Sequence, residues 1–299
     1  MTPIPLLRAS LRRRIILEVI ALIDRGELAR ARQHLQVLNA SSTDGHIGMI
    51  HSLLEEWFSL PPENQAAISP FQDDPEGEFQ YVPAPTESER SDRLLMVFCG
   101  MANRFGGCPL NLLHRRLGRL GVHLLYLRDR SATFYLNGLE ADDYSLRRTL
   151  LRIQDLIAGH DIRHTLTLGI SSGGFGALLW GMQLHAQRIV SLAGPTDLTP
   201  LLASLRSKQQ ELGLPPDQHA QPWDVAAAAR LRTANPRPNF HLVVGANNAN
   251  DIEFANDLGS PLPEHVVVEA LAGVHAHNVL PDLMACGRMD TLLSDLVGA

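Results

Sequence analysis

Cysteine and basic charge are both scarce in this sequence of 299 residues. The three cysteines, Cys99, Cys108 and Cys286, form no C-x-x-C pair and leave an odd number, which argues against a disulfide framework and against a cysteine zinc site. The formal net charge is −6, whereas proteins that bind a nucleic-acid duplex usually present a basic face. We therefore expect no nucleic-acid partner.

Long apolar runs are also missing. No uncharged run approaches the ~18 residues that a membrane span requires. The N-terminus has basic residues before an apolar patch, but Glu18 interrupts that patch and no small-residue cleavage site follows it. These features predict a soluble, cytoplasmic protein without a membrane span.

The common motifs of cofactor and metal sites are absent as well. The sequence contains no H-E-x-x-H and no cysteine–histidine cluster at ligand spacing, so no metal is expected. The G-x-G-x-x-G pattern fails at Leu179, where its third glycine would stand, and G-x-x-x-x-G-K does not occur. We expect no cofactor.

Hydrophobic spacing and composition divide the chain into three parts. Residues 1–60 repeat apolar residues at helical spacing and predict a small helical N-terminal segment. Residues 61–92 are rich in proline and acidic residues and are interpreted as a linker or a wrapping arm. Residues 93–299 alternate apolar runs with helical patterns, and a lid-like insertion at 197–238 interrupts this rhythm.

The alternation over the third part predicts an α/β fold. Buried strands written as continuous apolar runs, with helices between them, are typical of a mostly parallel central sheet with helices on both faces. The predicted strands are 94–100, 122–129, 164–170, 188–194, 240–246 and 265–273, and the predicted helices are 111–120, 144–159, 173–186 and 279–297.

The stretch TLTLGISSGGFGALLWG, residues 165–181, places two serines among glycines where a strand meets a helix. Gly169, Ser171 and Gly173 fit G-x-S-x-G, and the absence of a Cβ at these glycines lets strand and helix approach each other beside a strained turn. The N-terminus of the helix offers free N–H groups to a developing oxyanion. Ser171 is therefore a candidate nucleophile, and a glycine-rich phosphate-binding turn is the alternative.

Through this motif and its strand–turn–helix context, residues 93–299 resemble the α/β-hydrolase superfamily of the serine esterase or acyl-hydrolase type. The N-terminal helical extension lies outside the resemblance. The resemblance implies that the serine is followed along the chain first by an acidic residue and then by a histidine.

The acid is expected after the strand at 240–246 and the histidine after the last strand. Asp251 is favoured as the acid, although it could also cap the helix that follows it. His277 is favoured as the histidine, because it stands just before the final helix. The alternatives are His275 for the histidine and Asp197, Glu253 or Asp257 for the acid.

The resemblance also implies an oxyanion hole built from two main-chain amides. One donor is the residue after the nucleophile, Ser172, and the other lies on the loop after the first strand, at Met101. Four polar residues at the same edge of the sheet are either substrate contacts or loop-stabilising ion pairs: Asn103, Arg104, Arg128 and Asp129. The polar and aromatic groups of this edge favour a polar or sugar-linked acyl substrate, and they are Arg104, Arg128, Asp129, Tyr135 and Asn137.

Together these features predict a serine hydrolase that cleaves an ester, thioester or amide bond of a small-molecule or glycan-linked substrate through an acyl-enzyme. An acyltransferase would use the same three residues. A further alternative is a non-catalytic, hydrolase-like docking or assembly protein. The N-terminal helices are candidates for forming a homodimer or for docking a protein partner.

Overall fold

The computed structural model of the chain describes residues 9–39, 45–85, 88–216, 219–220, 238–260 and 263–298. Its centre is a seven-stranded sheet. The strands are β1 (Phe79–Val82), β2 (Arg93–Phe98), β3 (His123–Leu127), β4 (His164–Ile170), β5 (Arg188–Leu192), β6 (Asn239–Gly245) and β7 (Val266–Leu271). Their order across the sheet is β1-β3-β2-β4-β5-β6-β7, and only the β1–β3 pair is antiparallel.

Helices precede the sheet and connect its strands. Those before the sheet are α1 (Ala9–Asp24), α2 (Leu28–Asn39), α3 (Gly45–Ser59) and α4 (Pro62–Ala66). The later ones are α5 (Leu110–Leu117), α6 (Leu146–Gly159), α7 (Ser172–Gln183), α8 (Leu202–Glu211), α9 (Ala249–Gly259), α10 (Leu280–Ala285) and α11 (Arg288–Val297). Among the described residues no helix is long and apolar enough to cross a bilayer.

Successive side chains of β2 belong alternately to two buried clusters, which shows that helices cover both faces of the sheet, as the sequence predicted. Leu95 belongs to a buried cluster with residues of α5, α10 and α11. Its neighbours Leu94 and Met96 belong to a second cluster with residues of α6, α7 and α8. Successive side chains of a strand point to opposite faces, so each cluster is the core of one face.

The N-terminal helices share the core of the main body. Val19 on α1, Leu35 on α2 and Leu54 on α3 are buried in the same cluster as Leu95 of β2. These side chains are buried against the helices that cover one face of the sheet, so α1 to α3 pack as a part of the α/β body.

Residues 61–92 contain regular structure that the sequence analysis did not predict. They form α4 and β1, and β1 pairs with β3 from Phe79 opposite Leu127 to Val82 opposite Leu124. The segment, called the wrapping arm below, therefore adds an edge strand to the sheet.

Two other segments differ from the simple sequence pattern. The final helix, expected at 279–297, is broken into α10 and α11 at Gly287, which has φ 72°. The insertion at 197–238 supplies a short 3₁₀ helix, Thr199–Leu201, and α8. Residues 217–218 and 221–237, which form much of the expected lid, lie outside the described part of the chain.

Candidate active site

Ser171 lies at the sharp turn between β4 and α7, where its backbone has φ 55° and ψ −125°. A positive φ is strained at a residue that carries a Cβ, and a strand–helix turn of this kind projects the side chain away from the sheet. Main-chain hydrogen bonds fix the turn. The Ser171 amide donates to the Leu192 oxygen at 2.9 Å, and the Gly174 amide donates to the Ser171 oxygen at 2.8 Å.

The glycines of this turn are required by packing. A Cβ on Gly169 would overlap the carbonyl of Gly173, and a Cβ on Gly173 would overlap the carbonyl oxygen of Phe98. A Cβ on Gly174 would lie 2.6 Å from the Cα atom of Gly194. Helix α7 therefore approaches β4 and the end of β2 more closely than any other residue type would allow.

Ser171, His277 and Asp251 form one hydrogen-bonded chain. His277 Nε2 lies 2.8 Å from Ser171 Oγ, and His277 Nδ1 lies 3.0 and 3.1 Å from the two carboxylate oxygens of Asp251. Because a carboxylate only accepts hydrogen bonds, Nδ1 carries the ring proton and Nε2 is left to accept the proton of the Ser171 hydroxyl. The structure thus brings together the three residues that the sequence favoured.

The acid of this chain is buried and the imidazole is partly open to solvent. The accessible fraction of the side chain is 6% for Asp251 and 50% for His277. The hydrogen bond to Asp251 raises the pKa of His277 above its ordinary value; burial opposes this rise and the carboxylate charge adds to it. Asp251 therefore favours the protonated form of the imidazole.

Two loops at the carboxyl edge of the sheet place these side chains. Asn248 caps α9, since its side-chain oxygen accepts a hydrogen bond from the Asp251 amide at 3.2 Å. The capping role that the sequence analysis considered for Asp251 belongs instead to Asn248, and the Asp251 carboxylate contacts His277. A Cβ on Gly245 would lie 2.7 Å from the Val274 oxygen, so this glycine lets the loop after β7 pack against the end of β6.

The loop after β2 borders Ser171 and carries the expected oxyanion donor Met101. A Cβ on Gly100, the preceding residue, would lie 3.6 Å from the Ser171 Cβ. The other expected donor, Ser172, begins α7, and amides of a first helical turn have no acceptor within the helix. With the described residues, neither amide forms a main-chain hydrogen bond outside the helices and strands. Both N–H groups therefore remain candidates for binding an oxyanion.

The same loop is held by two distant parts of the chain. Arg104 donates to both carboxylate oxygens of Asp24, at the end of α1, over 2.8 and 3.3 Å. The Arg104 carbonyl oxygen in turn accepts a hydrogen bond from the Gly100 amide at 3.0 Å. From the loop after β7, Asn278 donates to the Gly106 oxygen at 2.9 Å. Of the two roles considered for Arg104, the structure shows the loop-stabilising ion pair.

Arg128 also has a structural position. It is buried, forms an ion pair with the buried Asp73, and donates to the carbonyl oxygens of Asn103 at 3.0 Å and of Gly77 at 2.8 Å. Its guanidinium therefore fixes the wrapping arm to the loop after β2. Asn103 takes part through its main chain, in a left-handed conformation with φ 56°, and its buried side-chain oxygen has no hydrogen-bond partner among the described residues.

Asp129 is likewise engaged by the protein. Its carboxylate accepts hydrogen bonds from the Tyr135 amide at 2.9 Å and from the Ser131 hydroxyl, and burial raises its pKa. Asn137 accepts a hydrogen bond from Gln209 at 2.7 Å. Four of the side chains that favoured a polar or sugar-linked substrate therefore have intramolecular partners: Arg104, Arg128, Asp129 and Asn137.

The alternative histidine and acids have other contacts. His275 Nε2 lies 2.9 Å from Asn247 Nδ2, and Asp197 accepts hydrogen bonds from the amide and the hydroxyl of Thr199 at 2.7 and 2.5 Å. In the described part of the chain, neither residue is hydrogen-bonded to the Ser171–His277 pair. The remaining acidic alternatives are exposed on α9: Glu253 and Asp257.

Two features at this edge of the sheet were not predicted from the sequence. The contact of Asp24 with Arg104 joins residues 80 positions apart, so no local pattern indicates it. A cavity beside Met101 is lined by Leu201, Leu205 and Lys208. Their spacing of four and three residues places them on one helix face, which is a pattern that the sequence does contain.

Metal ligands do not cluster at this edge or elsewhere in the described ranges. No group of three or more histidine, cysteine, aspartate or glutamate side chains among those residues could hold a metal ion.

No protein-family model and no curated protein matches the sequence. Solved structures do match. An S-formylglutathione hydrolase from Agrobacterium tumefaciens is 15% identical, with 74% of this chain and 90% of that chain covered and a TM-score of 0.51. The capsule O-acetyltransferase of Neisseria meningitidis serogroup A is 13% identical over 73% and 92% of the two chains, also with a TM-score of 0.51.

A third match is a fluorophosphonate-binding serine hydrolase of Staphylococcus aureus, which is 11% identical over 74% of this chain and 92% of that chain, with a TM-score of 0.51. At such identities the similarity concerns the fold. The chain has the α/β-hydrolase fold, preceded by a helical N-terminal segment.

Proposed function

We propose that the protein is a serine esterase or acyl hydrolase, with Ser171 as nucleophile, His277 as general base and acid, and Asp251 as the group that orients the imidazole. The observation that carries this proposal is the hydrogen-bonded chain from Ser171 Oγ through both nitrogens of His277 to Asp251. A serine hydroxyl is a weak nucleophile unless a neighbouring base accepts its proton.

The reaction has two halves. Ser171 Oγ attacks the carbonyl carbon of the ester while its proton moves to His277 Nε2, and the imidazolium then gives this proton to the leaving alcohol. Water then attacks the acyl-enzyme while His277 accepts a proton from it. The imidazolium gives this proton to Ser171 Oγ as the bond to the acyl carbon breaks, which releases the acid and restores the hydroxyl. Asp251 stabilises the imidazolium in both halves, in keeping with its upward effect on the pKa of His277.

Each tetrahedral intermediate carries a negative oxygen that needs hydrogen-bond donors. In this proposal the Met101 and Ser172 amides supply them. Loss of one such donor costs roughly 2.7–4 kcal/mol in serine hydrolases, so the exact position of the loop after β2 is as important as the side chains.

An acyltransferase is the second candidate, because the chain resembles the capsule O-acetyltransferase in fold. The chemistry differs only in the acceptor of the acyl group, which is an alcohol in place of water. Product analysis separates the two: a hydrolase forms mainly free acid and shows no preference for one added alcohol, whereas a transferase forms mainly a new ester with one particular acceptor.

The proposal is tested by labelling with a fluorophosphonate, which reacts with activated serines. We expect the wild type to be labelled and Ser171→Ala to remain unlabelled. Ser172→Ala should be labelled like the wild type. Ser172 is the matched control because it is adjacent and contributes only its main chain. A folded wild type that takes up no label would contradict the proposal and favour the non-catalytic docking protein.

A further inference from the structure

A cavity of about 360 Å³ opens beside the loop that carries Met101. Its apolar walls are Met101, Ala132, Phe134, Leu201 and Leu205, and its polar side chains are Ser204 and Lys208. Gly100, the residue before Met101, borders Ser171, so the loop that lines the cavity also borders the proposed nucleophile. Its volume is at the small end of the ~300–1,000 Å³ that is usual for small-molecule sites.

Helix α8 forms the wall that carries the charge. Ser204, Leu205 and Lys208 follow one another at helical spacing and line the cavity together. The helix is fixed to the body, since Gln209 donates to Asn137 at 2.7 Å and accepts a hydrogen bond from the Ala220 amide at 2.7 Å. The position of the helix that carries Lys208 is therefore set by the fold.

Lys208 is the only lysine in the sequence; the other 25 basic residues of the Lys and Arg total are arginines. Its ammonium lies 3.4 Å from Glu211, and the two side chains are 43% and 65% exposed. An exposed pair of this kind is weak, so the ammonium can bind a second anion. A lysine in the wall of a mostly apolar cavity can pair with the negative charge of a ligand whose apolar part fills that cavity.

We propose that this cavity binds a short apolar chain that ends in a carboxylate, with the carboxylate paired to Lys208 and the ester carbonyl at Ser171. The substrate class is then an ester with a free carboxylate a few carbons from the scissile bond. This inference rests on the proposed esterase function. The carboxylate belongs either to the acyl part, as in a half-ester of a dicarboxylic acid, or to the alcohol part, as in an acylated hydroxy acid.

Matched esters test the selectivity. For phenyl hydrogen glutarate and its neutral methyl ester, we expect the wild type to have a kcat/KM ratio of about ten in favour of the anion. The ratio should fall to near one in Lys208→Met and be largely restored in Lys208→Arg. It should rise in Glu211→Gln, which loses the competing carboxylate. Arg148→Met, which removes an exposed ion pair on α6, is the charge-matched control and should keep the wild-type ratio.

A second pair tests a carboxylate on the alcohol part of the ester. It consists of 4-acetoxybutyrate, which carries a free carboxylate, and the neutral methyl 4-acetoxybutyrate. A Lys208-dependent preference in either pair supports the proposal and locates the carboxylate on the acyl or the alcohol side. Equal ratios in the wild type and in Lys208→Met for both pairs would overturn it.

A binding measurement separates failure of this inference from failure of the esterase proposal. Reductive ¹³C-methylation keeps the lysine charge and labels only Lys208 and the chain terminus. We expect the Lys208 methyl resonance, assigned by its loss in Lys208→Arg, to shift on titration with monomethyl glutarate and not with dimethyl glutarate. Such a shift in a protein without esterase activity would keep the site and reject the chemistry, whereas no shift would reject the site.

Discussion

At the scale of single residues, the strained backbone of Ser171 is the feature on which the site depends. A residue held at an unfavourable φ costs about 1–3 kcal/mol, and it persists only where the surroundings determine it. Here the hydrogen bonds to Leu192 and from Gly174 fix the turn. The flanking glycines have no Cβ, which would otherwise overlap neighbouring main-chain atoms. The same contacts that position the nucleophile are therefore part of the stability of the fold.

The glycine requirement can be tested by stability. We expect Gly169→Ala to lower the free energy of unfolding by ~1–3 kcal/mol, because its methyl group would overlap the Gly173 carbonyl. Gly48→Ala, on α3, has open space around the new methyl group and should raise that free energy by about 0.5–1 kcal/mol. Urea unfolding of the two variants measures both effects. Equal destabilisation would show that packing is not the reason for the glycine at 169.

The pH dependence of catalysis follows from His277. Only the neutral imidazole accepts the Ser171 proton, so kcat/KM should rise with pH as His277 loses its proton. Because Asp251 raises the pKa of His277, we expect the midpoint of this increase in kcat/KM to lie above pH 6.5, the ordinary pKa of a histidine. Asp251→Asn should move it to lower pH and reduce kcat by roughly 10⁴-fold. An unmoved pH profile in that variant would mean that another acid contacts the imidazole.

The raised pKa of His277 also determines how the stability of the fold changes with pH. A raised folded-state pKa means that protonated His277 stabilises the fold below its unfolded-state pKa, and that this contribution is lost as the pH rises through the folded-state value.

At the scale of elements, the loop after β2 connects the N-terminal helices to the proposed oxyanion hole. The Arg104–Asp24 ion pair joins this loop to α1, and Arg128 joins it to the wrapping arm. The sequence alone did not show whether these arginines contact the substrate or stabilise loops, because both follow strands at the carboxyl edge of the sheet, where substrates bind. Their partners lie far away in sequence, so only the folded structure distinguishes the two roles.

Asp24→Asn tests this connection. We expect kcat to fall by about tenfold with little change in KM, since a displaced donor weakens binding of the oxyanion more than binding of the substrate; removing a donor outright costs roughly 10²–10³-fold. Charge reversal of both partners, Asp24→Arg with Arg104→Asp, should restore part of the loss. Glu55→Gln breaks the Arg32 ion pair between α2 and α3 and is the control, with kcat unchanged. A loss in KM alone would contradict a role in positioning the loop.

At the scale of the whole molecule, the chain folds around cores that include its N-terminal helices. Val19, Leu35 and Leu54 share one buried cluster with the sheet, which predicts one cooperative unfolding transition. Calorimetry should give equal calorimetric and van't Hoff enthalpies. Two transitions, the first of them lost on deletion of residues 1–60, would show that the helices fold as a separate unit.

Much of this architecture is readable from the sequence, for a physical reason. Strands buried on both faces are continuous apolar runs, such as HTLTLGI at 164–170, and β4 has those bounds. β1 was missed because FQYV at 79–82 is short and lies in a polar, proline-rich stretch, and an antiparallel edge strand needs no long apolar run. The break at Gly287 inside an apolar helical pattern was missed because the periodicity continues on both sides.

The candidate site was predictable to a similar degree. Ser171, Asp251 and His277 follow from one motif and a chain order, and the structure brings them within hydrogen-bonding distance. The ion pair of Arg104 with Asp24 joins segments 80 residues apart, which composition and spacing do not specify. The cap at Asn248 and the helix face that carries Lys208 are local features, which the sequence contains but which were not predicted from it.

The most direct test of the central claim is the mass of a trapped acyl-enzyme. The protein is mixed with an excess of p-nitrophenyl acetate, quenched in acid within the first turnover and digested with trypsin, and the peptide of residues 164–188 is sequenced by tandem mass spectrometry. We expect one acetyl group on Ser171, and its loss in Ser171→Ala. An acetyl group on another residue of that peptide, or a burst of product with the peptide unmodified, would contradict the assignment of Ser171 as the nucleophile.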